Sequence, residues 1–503
     1  MNIQGLDILA ALFIVLLLQR LLRKRPLYPF PPGPKKWPLI GNLLDLPSKY
    51  ESETYARWGK ELNSGIIHID AAGQNIIIVN SAKIATDLFH KRSSKYSSRH
   101  VYHQLTERWG WLMSNLPYGE TWRERRRLFT KHFHPTAGTT VHQTRSMEFI
   151  RRILPNLMDT PEKFLDLTRH MIGGITLSIA YGITTKTEDD YFVNLAEEAI
   201  GIINHATVPG TFLVDIMPFL KYVPQWVPGA GFHGEPFEAT AKDMENGTAK
   251  PSFVATCLNE VEEKDQAEKK HVIRVIKDTA AMSFTAGADT TVSAMWSFIL
   301  AMVCHPDVQR KVQVEIDTVV GRDRLPEFYD EENMPYLAAT LREVLRWKPV
   351  APIAIPHLVT EDDVYDNYFI QKNSTVIGNV WAMLQDEDEY PNPERFDPER
   401  YLRNGKLDLS DVRDPLDASF GFGRRECPGR QIAMSTLWIT AATMLSVFNI
   451  TNVRDKNGKE EEIDTGYSSG IVNHANPFKA NFIPRSKEAE IMARSAAEQV
   501  GIH

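Results

Sequence analysis

The segment from Phe420 to Gly429 reads F-G-F-G-R-R-E-C-P-G and contains Cys427, one of 3 cysteines in 503 residues. Its spacing suits a thiolate that binds iron from one side. Gly423 permits a tight turn, Gly429 lets the backbone lie close against a porphyrin, and Arg425 can pair with a propionate carboxylate. Phe420 can shield the sulfur from water. Pro428 is placed as the first residue of a helix, which would set Cys427 at a helix N-terminus whose free N–H groups stabilise a thiolate. On this reading Cys427 is the axial ligand of a haem iron. An electron-rich thiolate weakens the O–O bond of iron-bound dioxygen more than imidazole or thioether ligands do, so the ligand points to oxygen activation. The plainer reading of a lone cysteine is a small buried hydrophobe. Against it, F-x-x-G-x-R-x-C-x-G fixes five residues and arises by chance in roughly one chain of this length in 10⁴. Zinc or an iron–sulfur cluster needs several clustered cysteines, whereas Cys257 and Cys304 stand far off and read as interior residues.

A second chemical segment, A-G-A-D-T-T from Ala286 to Thr291, lies inside a helix-like stretch from about Val272 to Cys304. Glycine and two adjacent threonines weaken a helix interior. The Thr290 hydroxyl can bond the carbonyl of Ala286, four residues back, and open a notch for dioxygen and water. Asp289 and Thr290 then make an acid–alcohol pair able to relay protons to the distal oxygen.

The cysteine segment resembles the ligand loop of the haem-thiolate monooxygenases, the cytochrome P450 family, and four motifs stand in that family's order along the chain. The resemblance implies a cytochrome P450 fold holding haem b. W-R-E-R-R-R, from Trp122 to Arg127, looks like the start of the helix whose Trp and Arg reach the two propionates. Trp122 and Arg126 are four apart and share a helical face. Arg123, Arg125, Arg127 and Lys131 would then face outward, either as a solvated face or as a docking patch for an acidic electron donor. The resemblance implies that Glu343 and Arg346 in L-R-E-V-L-R join Arg400 of F-D-P-E-R-Y in a buried structural cluster supporting the cysteine loop. His357 in A-I-P-H falls where the family commonly has a basic propionate partner, often arginine. Y-S-S-R, L-P-Y-G-x-x-W-R and V-P-G-A-G-F look like the fungal secondary-metabolism branch, including the O-methylsterigmatocystin oxidoreductase-like enzymes.

The elements that must position these residues read as a mainly helical body, 39–487, with a minor sheet: a hairpin of 65–70 and 75–79, and strand-like pieces near 353–377 and 447–484. Apolar residues at 43% and charged residues at 24% are ordinary globular values. The net charge of −7 argues against a general nucleic-acid binder. Ahead of the body, Ile3 to Leu22 is long enough to cross a bilayer, and Arg23, Lys24 and Arg25 follow it. That order favours a retained anchor over 1–25 rather than a cleaved signal peptide, with the body on the cytoplasmic side of the endoplasmic reticulum membrane and the sequons at Asn246, Asn373 and Asn449 unglycosylated. Residues 26–38 hold six prolines and read as a stiff spacer, and 488–503 as a polar tail.

Gly229-Ala-Gly231-Phe-His-Gly234 matches a dinucleotide fingerprint in letters only, because the prolines before it preclude the required strand. The resemblance makes this region a loop over the pocket mouth, with Phe219, Trp226 and Phe232. Without a nucleotide domain the chain needs electrons from an NADPH–cytochrome P450 reductase. The expected pocket walls are Tyr102 to Met113, Phe284 to Ala288, Val350 to Ile355 and Ser469 to Val472, mostly apolar, so the expected substrate is a lipophilic small molecule. The competing readings are a haem-thiolate isomerase or dehydratase that uses no O₂, and a non-catalytic haem sensor.

Overall fold

The helix Gln266–Cys304 runs 39 residues through the middle of the body. Asp265 caps its start by accepting from the N–H groups of Ala267 and Glu268. From Val275 onward residues on every face are buried, which is why its apolar pattern has no preferred side. Among the described residues it is the one helix long and apolar enough to cross a membrane, but 78% of its most apolar window is buried inside the body, so it is a core helix. The helices Phe164–Tyr181, Glu120–Phe133 and Arg430–Val447 pack around it. This computed structural model describes residues 26–99, 110–133, 135–206, 235–261 and 265–501. The N-terminal run, the loop with Phe219, Trp226 and Phe232, and the pocket wall from Tyr102 to Trp109 lie outside them.

The expected hairpin is present as Ile66–Ala71 and Gln74–Val79, in register from Ile66 opposite Val79 to Ala71 opposite Gln74. Ala72 and Gly73 turn it with φ of 50° and 95°, the double positive φ of a two-residue hairpin turn. Gln74–Val79 pairs in parallel with Thr375–Gly378, which continues to His357–Leu358 and then Ser98–Arg99. The sheet therefore brings Arg99 and His357 side by side. A separate pair, Phe448–Thr451 with Asn481–Pro484, accounts for the strand-like residues near the C-terminus.

Two expectations are corrected. The proline segment is docked on the body: Pro32 O accepts from His68 N at 2.8 Å at the sheet edge, and Pro29 O accepts from Phe369 N at 2.7 Å in the separate hairpin of Asp363–Tyr365 and Tyr368–Ile370. Phe30 stacks on the His68 ring at 4.5 Å. A strand at a sheet edge offers unpaired N–H groups, and prolines can accept from them through their carbonyls. The stretch read as a polar tail contains the helix Lys487–Gln499, capped by Ser486, whose buried Ala489, Ala493 and Ala496 form one stripe. That stripe packs toward Pro135–Asp159, and Arg494 grips Asp159 at 2.8 and 3.0 Å.

Candidate active site

The cysteine loop closes on itself before anything distant touches it. Cys427 N donates to Phe420 O at 2.8 Å, and Glu426 N donates to Gly423 O at 3.1 Å. Gly423 has φ +56°, and a Cβ there would run into the Phe89 carbonyl, so the turn requires glycine twice over. The helix begins at Arg430 with Gly429 as its cap, two positions later than the sequence predicts. Pro428 is not its first residue: the Cys427 carbonyl accepts from Arg430 N at 3.4 Å, an extra turn ahead of the helix. The sulfur nevertheless receives the N–H groups of Gly429 and Arg430. Burial raises the Cys427 thiol pKa, while those N–H groups and the Arg126 charge pull it down. Such a balance stores a proton that a metal ion would displace.

Burial of its surroundings raises the Cys427 thiol pKa, yet its own surface is exposed, unlike that of the buried Cys257, as for a group that lines a cleft inside the protein. A Cβ on Gly429 would meet no protein atom nearer than the Cys427 sulfur at 3.8 Å, so this side of the loop faces space.

The cations beside the cleft fit a haem. Arg425 is buried and, among the described residues, donates only to backbone carbonyls: Ser97 at 2.7 Å, Met113 at 3.3 Å and Leu116 at 2.6 Å. Arg126 donates to Glu426 O at 2.7 Å. Neither has a carboxylate in ion-pair range among the described residues. Burial, with the Arg126 charge added, lowers the Arg425 pKa to about 9, and burial lowers Arg126 as well. Buried charge without a counter-charge is costly, and two propionates would supply it. Trp122, also buried, lies 4.5 Å beneath the Arg425 guanidinium and 5.9 Å from that of Arg126.

His357 does not supply the positive charge expected of it. Its Nδ1–H donates to Tyr96 O at 2.6 Å, and burial together with Arg99 holds its pKa well below the usual value, so the ring is neutral. The cation at that place is its strand partner Arg99, buried against the carbonyls of Ile355 at 2.6 Å and Pro356 at 3.2 Å. Arg99 was legible only as part of Y-S-S-R, without a role. Arg125 is also corrected: it is buried and its Nε donates to Asp278 at 3.1 Å, because three and four residues from Trp122 are the same helical face. Arg123, Arg127 and Lys131 do face outward, paired with Glu120 and Glu260.

Glu343, Arg346 and Arg400 are brought together as expected. The fully buried Glu343 accepts from Arg346 at 2.8 and 2.9 Å, from Arg400 at 3.4 Å, from Tyr401 at 2.9 Å and from Asp397 N at 2.8 Å. The helix of Glu343 and Arg346, Pro335–Trp347, reaches the approach to the cysteine loop through Arg342, 3.4 Å from Asp414.

On the long helix Thr290 donates to Ala286 O at 2.7 Å. Thr279, Ser283, Thr285 and Ser297 make the same back-bond, so the bond alone does not single out Thr290. The helix is unbroken here, and Gly287 serves packing: a Cβ would come within 2.8 Å of Thr176. Asp289 and Thr290 do not form a direct pair, since the Thr290 proton is spent on Ala286. Asp289 is buried, accepts from His474 Nε2 at 3.0 Å and stands 3.7 Å from Arg169. Neither partner carries a local sequence signal. Of the expected walls, Trp111 and Leu112 share one apolar cluster with Phe284 and Ala288. Ile353 instead packs with Ile67 and Ile69 under the sheet.

The cytochrome P450 family model matches residues 31–482. Cytochrome P450 monooxygenase ple1 from Rhodocybe pseudopiperita is 44% identical over 490 residues, covering 94% of this chain and 93% of that protein. Tryptamine 4-monooxygenase from Psilocybe cyanescens is 41% identical, covering 91% and 93%. Cytochrome P450 monooxygenase 98 from Postia placenta is 40% identical, covering 95% of each. The match runs through the cysteine loop, the buried glutamate cluster and the threonine helix alike, and the chain belongs to the cytochrome P450 family, whose members are haem-dependent monooxygenases with a cysteine thiolate on the iron.

Proposed function

We propose that this enzyme inserts one oxygen atom from O₂ into a lipophilic small molecule of fungal secondary metabolism, a terpenoid, polyketide or alkaloid, using electrons from an NADPH–cytochrome P450 reductase. The observation that carries the reading is Cys427 at an internal cleft flanked by the half-buried Arg126 and the buried Arg425, neither with a carboxylate in ion-pair range among the described residues. Haem bound there supplies the activation of dioxygen that thiolate ligation favours. Cys427 is its ligand. Arg425, Arg126 and Arg99 neutralise the propionates, Trp122 packs under the guanidiniums, and Phe420 and Gly429 border the sulfur. Gly423 keeps the loop's turn, while Glu343, Arg346 and Arg400 hold the scaffold below it. Thr290, bonded to the Ala286 carbonyl, orders water at the helix, and Asp289 is the acid that feeds protons toward it. The apolar walls near Trp111, Leu112, Phe284 and Ala288 keep bulk water from the reacting carbon.

Residues 1–25 anchor the protein by a single pass in the endoplasmic reticulum membrane with the catalytic body in the cytoplasm. The apolar run followed by Arg23, Lys24 and Arg25 supports this. So do the exposed Leu27 and Trp37 on the segment that follows it. The relative named for tryptamine makes indoles a first group of candidates beside terpenoids and polyketides. The test is a screen of these compounds for the spectral shift that reports displacement of iron-bound water, followed by reconstitution with reductase and NADPH. Oxygenated product is expected from a compound that gives the shift. Shifts with strongly charged sugar phosphates, or products that form without O₂, would overturn the reading.

A further inference from the structure

The Asp289 carboxylate sits in a station built by three separate parts of the chain. From the helix Phe164–Tyr181, Arg169 Nη1 comes within 3.7 Å of Asp289 Oδ1, but the same nitrogen lies 3.3 Å from Glu197, so its charge is shared. From the segment after Tyr467, His474 donates Nε2–H to the same Asp289 oxygen at 3.0 Å. Trp296 holds both partners: the Arg169 guanidinium lies 4.9 Å from its ring centroid, and the His474 ring meets it edge-on at 5.5 Å. The indole is itself fixed by its N–H on Thr168 Oγ1 at 3.0 Å. Asp289 and Trp296 are two helical turns apart on one face.

His474 has little freedom of its own. Its backbone N–H and carbonyl close a small loop on Ser468 at 2.9 Å each, and Tyr467 bridges Ala475. The neighbouring Asn473 carbonyl accepts from Ser293 Oγ, one turn after Asp289, and Asn473 N donates to Val350 O at 2.9 Å. The imidazole is therefore placed against Asp289 by the fold rather than by a flexible side-chain reach.

We propose that His474 is a positioning residue for oxygen activation, setting where the Asp289 carboxylate points and how readily it gives up a proton. The proposal rests on the monooxygenase reading above. The Thr290 hydroxyl is engaged with Ala286. Proton delivery at this end of the helix then depends on a carboxylate that the His474 imidazole approaches at 3.0 Å, closer than Arg169 at 3.7 Å. Removing that N–H leaves a buried carboxylate beside a shared arginine, and a carboxylate that loses a donor holds its proton more tightly and relays it less well.

The experiment uses the full-length haem-loaded protein with reductase and NADPH and no added substrate, and measures the share of consumed NADPH recovered as hydrogen peroxide. His474→Phe keeps a ring beside Trp296 and lacks the N–H, whereas His474→Gln keeps an N–H near the Nε2 position and lacks the ring. The expected result is an increase of about fivefold in the ratio of peroxide to water for the Phe variant, the size of one ordinary net hydrogen bond, with the Gln variant near wild type. The opposite ranking, or two variants alike, would overturn the proposal, because ring packing or nothing would then be at stake. A second measurement compares melting of His474→Phe, Asp289→Asn and the double variant: non-additive shifts are expected from a direct pair, and additive shifts would overturn it. A wild-type protein that takes up no oxygen with NADPH would refute the monooxygenase reading itself, and that failure is visible before any variant is made.

Discussion

The cysteine loop and the Asp289 station are built by different means. In the loop, Cys427 bonds to Phe420 and Glu426 to Gly423, and glycine at positive φ sets the turn, so the turn itself is made by residues a few positions apart, with Phe89 and the carbonyls that hold Arg425 packed around it. At the station, Asp289 meets Arg169 and His474, which are far away in sequence. A short self-closing loop must carry its geometry in its own residue types. A polar group in a long buried helix needs only a partner, and any element that packs against it can provide one.

The largest effect that would break this comparison is at the loop itself. Cys427→His should abolish the red-shifted Soret band of the reduced, carbon-monoxide-bound protein together with all NADPH-driven oxidation; a variant keeping that band would show that the thiolate lies elsewhere. Glu343→Gln tests whether the loop is truly self-sufficient, since Glu343 holds four donors from outside it. Breaking a buried ion pair costs ~3–5 kcal/mol, so melting temperature and haem retention should both fall. Retained haem at unchanged stability would show that the loop needs no such support.

Thr290→Ala sharpens the other side. The substitution removes one hydroxyl and little volume, so the thiolate spectrum should persist while product per NADPH falls by about 10² and peroxide rises. Wild-type coupling would leave Thr290 as one more back-bonded hydroxyl among those of Thr279, Ser283 and Thr285.

A smaller effect concerns the proline segment on the sheet. Burial, with Lys36 nearby, lowers the His68 pKa to about 4, and Lys36 donates to its Nδ1 at 3.3 Å. The unfolded chain protonates this histidine near its ordinary value of about 6.5. Between these values the unfolded state binds more protons, so this contribution is present above about pH 6.5 and is lost as pH falls toward 4. A loss of about 2 kcal/mol between pH 7 and pH 5 follows from the linkage. His68→Gln should flatten that part of the melting profile, and an unchanged slope would place the pH sensitivity elsewhere. The smallest effect is expected for Arg127→Ala, an exposed partner of Glu120. Exposed pairs add little, so melting should not change, in contrast to Arg125→Ala at the buried Asp278.

Cys427, Gly423 and the Thr290–Ala286 bond were legible in the sequence because each rests on a local rule, such as a turn only glycine can make or a hydroxyl four residues from a carbonyl, whereas Glu343 and Arg346 were legible through the family resemblance. Tertiary structure alone decided that Arg99 rather than His357 carries the charge beside the strand, that Asp289 turns to His474, that Arg125 lies inside and that prolines 29 and 32 dock on the edges of two sheets. In each of these cases side-chain chemistry states what kind of partner is needed. Which partner arrives depends on how distant elements pack, and residue type and spacing do not encode that.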